Sequence, residues 1–154
     1  MKIISIIITT IVFQLMSLGI YAQTNEKQET NQKHVPLIFN VTGFADNSGQ
    51  MLVYFYRKKD KMPSDPFKLL EIKIEDKQAL AQIHDLSFGD YACIFVHDKN
   101  ANNHIDHSFG FPSEPIGYTN NWKLSLFSGM PTFEKLKFTY SMSKNRYPIN
   151  MYEK

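Results

Sequence analysis

Alternation of apolar and polar side chains is the main pattern along this chain. From residue 35 onward, short apolar runs alternate with clusters of Asp, Asn, Gly and Pro. Apolar side chains at every second position are typical of a strand with one buried face. About seven such runs occur, and no stretch has the period of an amphipathic helix. The pattern predicts an all-β fold in which residues 35–152 form one antiparallel β-sandwich domain.

Turn residues and prolines predict how some of these strands are arranged. The runs 37–42 and 51–56 flank the turn sequence 46–49, so we expect them to form a hairpin. Pro148 lies within the last run and cannot donate a backbone hydrogen bond, which places that run at a sheet edge. Residues 109–133 lack a regular period and are rich in Pro and Gly, so we expect a long loop there.

One run, residues 91–96, is apolar at every position and is interpreted as a central strand. Leu86, Gly89 and Tyr91 lead into it with a spacing typical of the sharp corner that enters a β-sandwich strand. At such a corner the tyrosine hydroxyl bonds back to the backbone. Cys93 is the only cysteine and lies within this run, so we interpret it as a buried small hydrophobe rather than a nucleophile.

The N-terminal segment has the pattern of a secretory signal. Lys2 precedes an apolar run, residues 3–20, and Ala22 is followed by polar sequence. This order predicts a signal peptide, residues 1–22, and residues 23–34 then form a flexible linker. An uncleaved membrane anchor is the alternative, because the run is long enough to span a bilayer. We expect a secreted or periplasmic protein that is not an integral membrane protein after cleavage.

Charge excludes one class of partner. The chain has 17 basic and 15 acidic residues, and of these only Lys2 lies in the first 22 positions, which leaves a net charge of +1. Proteins that bind nucleic acid need clustered Lys and Arg side chains on one surface. The cluster at residues 57–61 is small and is interrupted by Asp60. We therefore predict no nucleic-acid partner.

A loop rich in oxygen-bearing side chains follows the central strand. Asp98, Asn100 and Asn102 alternate, and Asp106 follows at the ninth position of this loop. Calcium prefers carboxylate and amide oxygens in such an arrangement. The candidate Ca²⁺ ligands are Asp98, Asn100, Asn102, His104 and Asp106. The alternative is an Asx-rich turn that satisfies its own backbone, because only two of these residues are acidic and Phe109 occupies the twelfth position.

Other chemistries find less support in the residues. His97, His104 and His107 would be the ligands of a transition metal, although their stretch is predicted to be a loop. A hydrolase would need His97, His104 and Asp106 to converge in a pocket. No serine-hydrolase or zinc-protease motif is present, so we predict a non-catalytic protein.

Aromatic and amide side chains in the long loop suggest a binding surface. Tyr118, Asn120, Asn121 and Trp122 combine flat apolar faces with amides that can select an orientation. We therefore predict a carbohydrate or protein partner at the cell envelope. The alternative is that this loop packs over the end of the sandwich and that Trp122 fills the core.

Several short motifs follow one another along the chain: Val41-Thr42-Gly43, Gly49-Gln50, Leu86 with Gly89-Asp90-Tyr91, His97 to Asn102, Ile105-Asp106, Gly110 with Pro112 and Glu114, Gly117 to Asn121, and Pro131-Thr132-Phe133. In this order they resemble Domain of Unknown Function family 2141, whose members are small exported bacterial proteins. The resemblance covers roughly residues 35–152 and implies a β-sandwich of the transthyretin or carboxypeptidase-regulatory kind, which is immunoglobulin-like, and an extracytoplasmic location. It implies no known activity, and the C-terminal Tyr-Arg-Gly-Ser of transthyretin-like hydrolases is absent. Asn103 stands where the family usually has Gly.

Overall fold

The computed structural model describes residues 35–125 and 127–152. The predicted signal peptide, residues 1–22, and the predicted linker, residues 23–34, lie outside the described residues. The described part contains ten strands, one short α-helix and one 3-10 turn. They are β1 (Leu37–Thr42), β2 (Gln50–Tyr56), β3 (Lys68–Ile72), β4 (Gln78–Ile83), β5 (Gly89–Asp98), β6 (His107–Ser108), β7 (Phe111–Pro112), β8 (Ile116–Tyr118), the 3-10 turn (Thr119–Asn121), α1 (Phe133–Leu136), β9 (Phe138–Tyr140) and β10 (Arg146–Asn150).

Two sheets face each other across the main core. The first has the strand order β10-β1-β4, and the second has the order β3-β2-β5-β8, with β9 pairing with the start of β5. Phe39 of the first sheet contacts Phe55 and Phe95 of the second, with ring centroids 6.0 and 5.0 Å apart. Such aromatic contacts join the sheets because each ring buries a large apolar area. The predicted all-β fold is confirmed.

Strand β5 is buried on both faces, as its apolar sequence predicts. Cys93 and Phe95 point into the core between the sheets. Ile94 and Val96 point to the opposite face, where side chains from the loops and from α1 form a second apolar cluster. Cys93 is fully buried, and burial raises the pKa of its thiol well above the ordinary value. The interpretation of Cys93 as a structural hydrophobe is therefore confirmed.

Two further local predictions are confirmed. The hydroxyl of Tyr91 donates to the carbonyl oxygen of Ser87 at 2.9 Å, which closes the corner before β5. Strand β10, which contains Pro148, lies at the edge of the first sheet. Both features depend on the chemistry of a few residues that are close together in the sequence. A sequence pattern predicts such features most directly.

The predicted hairpin between the first two strands is wrong. Strand β1 pairs with β4 and β10, whereas β2 pairs with β3 and β5, so the connection 43–49 crosses from one sheet to the other. Phe44 in this connection is buried in the core, which draws the turn inward between the sheets. The sandwich is also not wholly antiparallel, because β10 pairs with β1 in parallel.

The expectation of a loop throughout residues 109–133 needs a further correction. The segment contains β7 and β8, and β8 pairs with β5 at residues 94–96. Strand β8 has only three residues, which is too short to produce a detectable alternation. The likeness to a transthyretin or carboxypeptidase-regulatory sandwich stays a prediction.

Thr119 fills a gap at one edge of the central strand. Strand β8 covers residues 94–96 of β5 and β9 covers residues 89–91, so Cys93 faces neither. The backbone N–H of Cys93 instead donates to the hydroxyl of Thr119 at 3.0 Å. The same hydroxyl donates to the carbonyl oxygen of Leu136 at 2.6 Å, and Thr119 is fully buried.

Replacement of Thr119 by valine tests this bond. Valine keeps the side-chain volume but leaves the N–H of Cys93 and the carbonyl of Leu136 buried without a partner. We expect Thr119→Val to lower the free energy of unfolding by about 1–3 kcal/mol. Chemical denaturation would measure this loss. Thr132→Val is the control, because Thr132 is exposed and its side chain makes no capping bond; an equal loss in both variants would contradict the assignment.

Candidate functional site

The oxygen-rich loop begins where β5 ends beside β2. Asp98 and Gln50 are partners in the register of these two strands. The Asp98 Oδ2 atom accepts from the Gln50 Nε2 atom at 3.0 Å and from the Asn103 N–H at 2.9 Å. Its Oδ1 atom accepts from the Asn102 N–H at 3.1 Å. The buried carboxylate of Asp98 therefore holds both the neighbouring strand and the turn of the loop.

The protonation of Asp98 reflects these bonds. Burial opposes the charged form, but the hydrogen bonds from Gln50 and from the backbone of Asn103 and Asn102 outweigh it. The pKa of Asp98 is consequently below its ordinary value of 3.8.

The side chains of Asn100, Asn102 and Asp106 also contact one another. The Asn100 Nδ2 atom donates to Asp106 Oδ2 at 2.9 Å, and the Asn102 Nδ2 atom donates to Asp106 Oδ1 at 3.0 Å. The amide oxygen of Asn102 accepts from the His104 N–H at 2.8 Å. His104 is exposed and joins this network through its backbone. The loop satisfies its own backbone, which is the Asx-rich turn considered as the alternative to a metal loop.

Glu114 closes the loop from the other side. Its Oε1 atom accepts from the Lys99 N–H at 3.1 Å, and its Oε2 atom accepts from the Asp106 N–H at 3.2 Å. Burial raises the pKa of Glu114, and the charges of Asp106 and Asp98 raise it further against the effect of these two bonds. Three carboxylates thus lie close enough for their charges to interact around one short loop.

The backbone conformation explains the residue type at two positions of the family motifs, Asn103 and Gly49. Asn103 has φ +64°, so asparagine does adopt the left-handed turn in which the family usually has glycine. Gly49 has φ +61°, and a Cβ atom there would lie 1.9 Å from the carbonyl oxygen of Asp98. Only glycine allows the turn before β2 to pack directly on the start of the oxygen-rich loop.

The three histidines do not lie together. His97 is fully buried, its ring centroid is 5.2 Å from that of Phe44, and its Nε2 atom donates to the carbonyl oxygen of Ser48 at 2.8 Å. It therefore orders the turn before β2 rather than the loop after β5. His104 and His107 are exposed. Among the described residues, no group of three or more His, Cys, Asp or Glu side chains is arranged to hold a metal ion.

The predicted binding residues of the long loop differ in burial: the two aromatic residues are buried or half-buried, and the two asparagines are exposed. Tyr118 is buried, and the half-buried ring of Trp122 packs edge-on against it with a centroid distance of 4.7 Å. The amide of Asn120 donates to the carbonyl oxygen of Lys135 at 3.1 Å, and the Lys135 ammonium lies 5.5 Å from the centre of the Trp122 ring. Asn121 is exposed. The loop thus packs over the outer face of the second sheet, and Trp122 belongs to the apolar cluster there.

An apolar cleft beside this loop was not predicted from the sequence. It has a volume of about 60 Å³, with Ile94 and Tyr118 among its lining residues and the exposed side chains of Phe111 and Met130 also lining it. Strands β6 and β7 pair as an antiparallel hairpin, and the cleft lies between this hairpin and the later part of the long loop. Its lining residues come from several segments that share no common periodicity. The only sign of the cleft in the sequence is that apolar residues occur within a segment rich in Pro and Gly.

The fold and these loops define a small all-β domain with two facing sheets and an apolar cleft. Among the described residues, no helix has both the length and the apolar character needed to cross a membrane. The chain belongs to the bacterial family described as "Uncharacterized protein conserved in bacteria (DUF2141)", whose model matches residues 39–147. This match confirms the predicted family. No curated protein and no solved structure matches the chain.

Removal of the Asp98 charge tests the electrostatics of the loop. In Asp98→Asn, one acceptor oxygen replaces a carboxylate that accepts three hydrogen bonds. We expect the free energy of unfolding to fall by about 1–3 kcal/mol at neutral pH. Because folding lowers the pKa of Asp98, its stabilisation is present above the ordinary value of 3.8 and is lost as the pH falls through the folded-state pKa.

The difference in unfolding free energy between the wild type and Asp98→Asn should therefore shrink below about pH 4. Urea denaturation at several pH values would measure it. Asp65→Asn is the matched control, because Asp65 is exposed and its carboxylate makes no hydrogen bond within the described residues. A difference that stays constant from pH 7 to about pH 2 would contradict the assigned role.

Proposed function

We propose that this protein is an exported, non-catalytic binding module that uses the apolar cleft to hold an apolar side chain of a protein partner. The observation that carries the proposal is the exposure of Phe111 and Met130 at a cleft whose other lining residues include Tyr118. Exposed apolar side chains around a concave site are typical of interaction surfaces. Export is supported by the apolar run 3–20, which precedes Ala22.

The size of the cleft favours a protein partner over a small ligand. Sites for cofactors and drug-sized molecules usually enclose about 300–1,000 Å³. A volume of about 60 Å³ suits part of a single side chain. Protein interfaces commonly place one apolar anchor in such a pocket and surround it with weaker contacts. The sequence predicts a carbohydrate or a protein as the partner, and the small volume of the cleft favours a protein.

Phe109 adds a second argument for a partner at this place. It lies at the tip of the β6–β7 hairpin, is fully exposed and has φ +51°. This backbone conformation is unfavourable for a bulky residue, and exposure of the ring to water adds a further cost. The neighbouring Gly110 completes the turn with φ +80°. A partner that covers the ring would recover part of the apolar cost.

A matched pair of methionine variants tests the proposed cleft. Peptides selected from a random library against the purified protein should share an apolar anchor residue. Titration of such a peptide should change the fluorescence of Trp122, the only tryptophan, because its ring contacts Tyr118. Met130→Lys should weaken binding by about 10-fold or more, since burial of one such side chain is worth about 1.5–3 kcal/mol.

Met142→Lys is the control, because Met142 is similarly exposed but does not line the cleft. Its affinity for the selected peptide should equal that of the wild type. Equal weakening by both lysines would mean that the cleft is not the binding surface, and so would selected peptides that lack an apolar anchor.

A calcium site at the 98–106 loop is the second candidate function. The specific observation in its favour is that Asn100 and Asn102 both direct their amides at the Asp106 carboxylate. Rotation of each amide would present an oxygen instead of a nitrogen to the same point, and Ca²⁺ binds such oxygens. Asp98 accepts three hydrogen bonds, which leaves its carboxylate some capacity for a cation. Glu114 is the nearest further acid.

Thermal denaturation with Ca²⁺ and with a chelator tests this candidate. A cation bound only to the folded state must raise the melting temperature, by an amount equivalent to about 2.7 kcal/mol at 100 times Kd. Asp106→Asn should abolish the rise, because it removes one of the two carboxylates in the candidate set. Asp46→Asn, in the turn before β2, should retain it. Superimposable curves for the wild type in Ca²⁺ and in chelator would refute the calcium site.

A further inference from the structure

We propose that the partner held in the apolar cleft is a second copy of this chain, with Phe109 of each copy inserted into the cleft of the other. This inference rests on the proposed function, because it names the occupant of the same cleft. The position of Phe109 beside the cleft, the exposed apolar area there and the uncharged lining each favour a second copy over a different protein.

The chain carries an apolar anchor and a receptor for it side by side. Phe109 lies at the tip of the β6–β7 hairpin, and its neighbours Gly110 and Phe111 line the cleft. The ring of Phe109 is fully exposed, so it does not occupy the cleft of its own copy. A two-fold interface uses the same patch on both copies, so the patch must contain a contact and its complement. The hairpin tip and the cleft together meet this condition.

A two-fold axis beside the β6–β7 hairpin would form both insertions at once. The rotation exchanges the two hairpins, so it carries each Phe109 to the cleft that its counterpart borders. A partner of different sequence could fill the cleft, but it would leave Phe109 in water unless it supplied a second pocket. A second copy covers both features, because such an interface contains two clefts and two rings.

The exposed apolar area at this place is large enough for a weak dimer. Phe127 lies between the lining residues Leu124 and Met130 along the chain and is as exposed as Phe109. An aromatic side chain buries about 150–250 Å² when it is covered, so the four such rings of a dimer would contribute about 600–1,000 Å². The exposed parts of Phe111 and Met130 raise the total toward the lower limit of specific interfaces, about 1,200 Å².

Charge does not oppose this pairing. Among the described residues that line the cleft, none is Lys, Arg, Asp or Glu. A two-fold axis brings each charge near it close to the same charge of the second copy, and like charges in an interface repel. A charged patch therefore selects a different partner of opposite charge, whereas an uncharged patch is compatible with its own copy.

Sedimentation at a series of concentrations, on the protein purified after expression of the full chain, tests the association. An interface near the lower size limit is weak, so half of the wild type should be dimeric at about 10–100 µM. Phe109→Asn should weaken dimerisation by about 100-fold or more, because each dimer loses two buried rings. Asparagine tolerates the positive φ of this position better than phenylalanine does, so the substitution should not unfold the protein.

Met142→Asn is the matched control, because Met142 is exposed but does not line the cleft. It should dimerise like the wild type. A wild type that stays monomeric up to about 1 mM would overturn the inference, because even a weak symmetric contact should be populated there. A dimer that Phe109→Asn leaves intact, or that Met142→Asn weakens equally, would overturn it too.

A mixture of two variants tests whether the ring enters the cleft. Phe109→Asn keeps an intact cleft but has no anchor, whereas Met130→Lys keeps the anchor but places an ammonium group at the cleft. Neither variant can form an insertion with itself, but one copy of each can form one. The mixture should therefore dimerise about 10-fold or more tightly than either variant alone, since one buried ring is worth that much. Equal association in the mixture and in the single variants would overturn the reciprocal insertion.

The peptide selected against the cleft separates this inference from the proposed function. It should shift the wild type toward monomer, because the peptide and the second copy occupy the same cleft; a dimer that persists at saturating peptide would overturn the inference. The proposed function fails if the peptide binds Met130→Lys as tightly as it binds the wild type. The inference fails alone if the peptide binds the cleft of a protein that stays monomeric up to about 1 mM.

Discussion

Burial of strand β5 on both faces is the constraint on which the rest of the structure depends. A strand in this position cannot leave backbone groups unpaired, because water reaches neither face. Strand β2 pairs with residues 92–98 of β5 along one edge. The other edge is covered in pieces by β9, by the Thr119 hydroxyl and by β8. The long segment after β5 must therefore return to the sheet at defined points, which explains why a region rich in Pro and Gly contains strand β8.

The last residues of this strand organise the loops around it. Neighbouring side chains of a strand point to opposite faces, so His97 and Asp98 serve different segments. His97 bonds the carbonyl of Ser48 in the turn before β2, and Asp98 bonds the backbone of the loop that follows β5. Gly49 joins the two segments by packing against the Asp98 carbonyl. A change at this strand end should consequently disturb both loops together, which is relevant to any use of the 98–106 loop as a cation site.

The sequence could predict the features that depend on local chemistry. Alternation located the main strands, and the spacing that leads to Tyr91 located the corner bond to Ser87. Pairing between distant strands could not be read in this way, since the parallel partner of Val41 is Ile149, far away along the chain. The predicted hairpin failed for the same reason: Phe44 is buried between the sheets, and this tertiary contact outweighs the local preference of the turn residues. At the candidate site, the Asx residues were predictable, whereas the parts played by Gln50 and, at the edge of β5, by Thr119 appear only once the strands are paired.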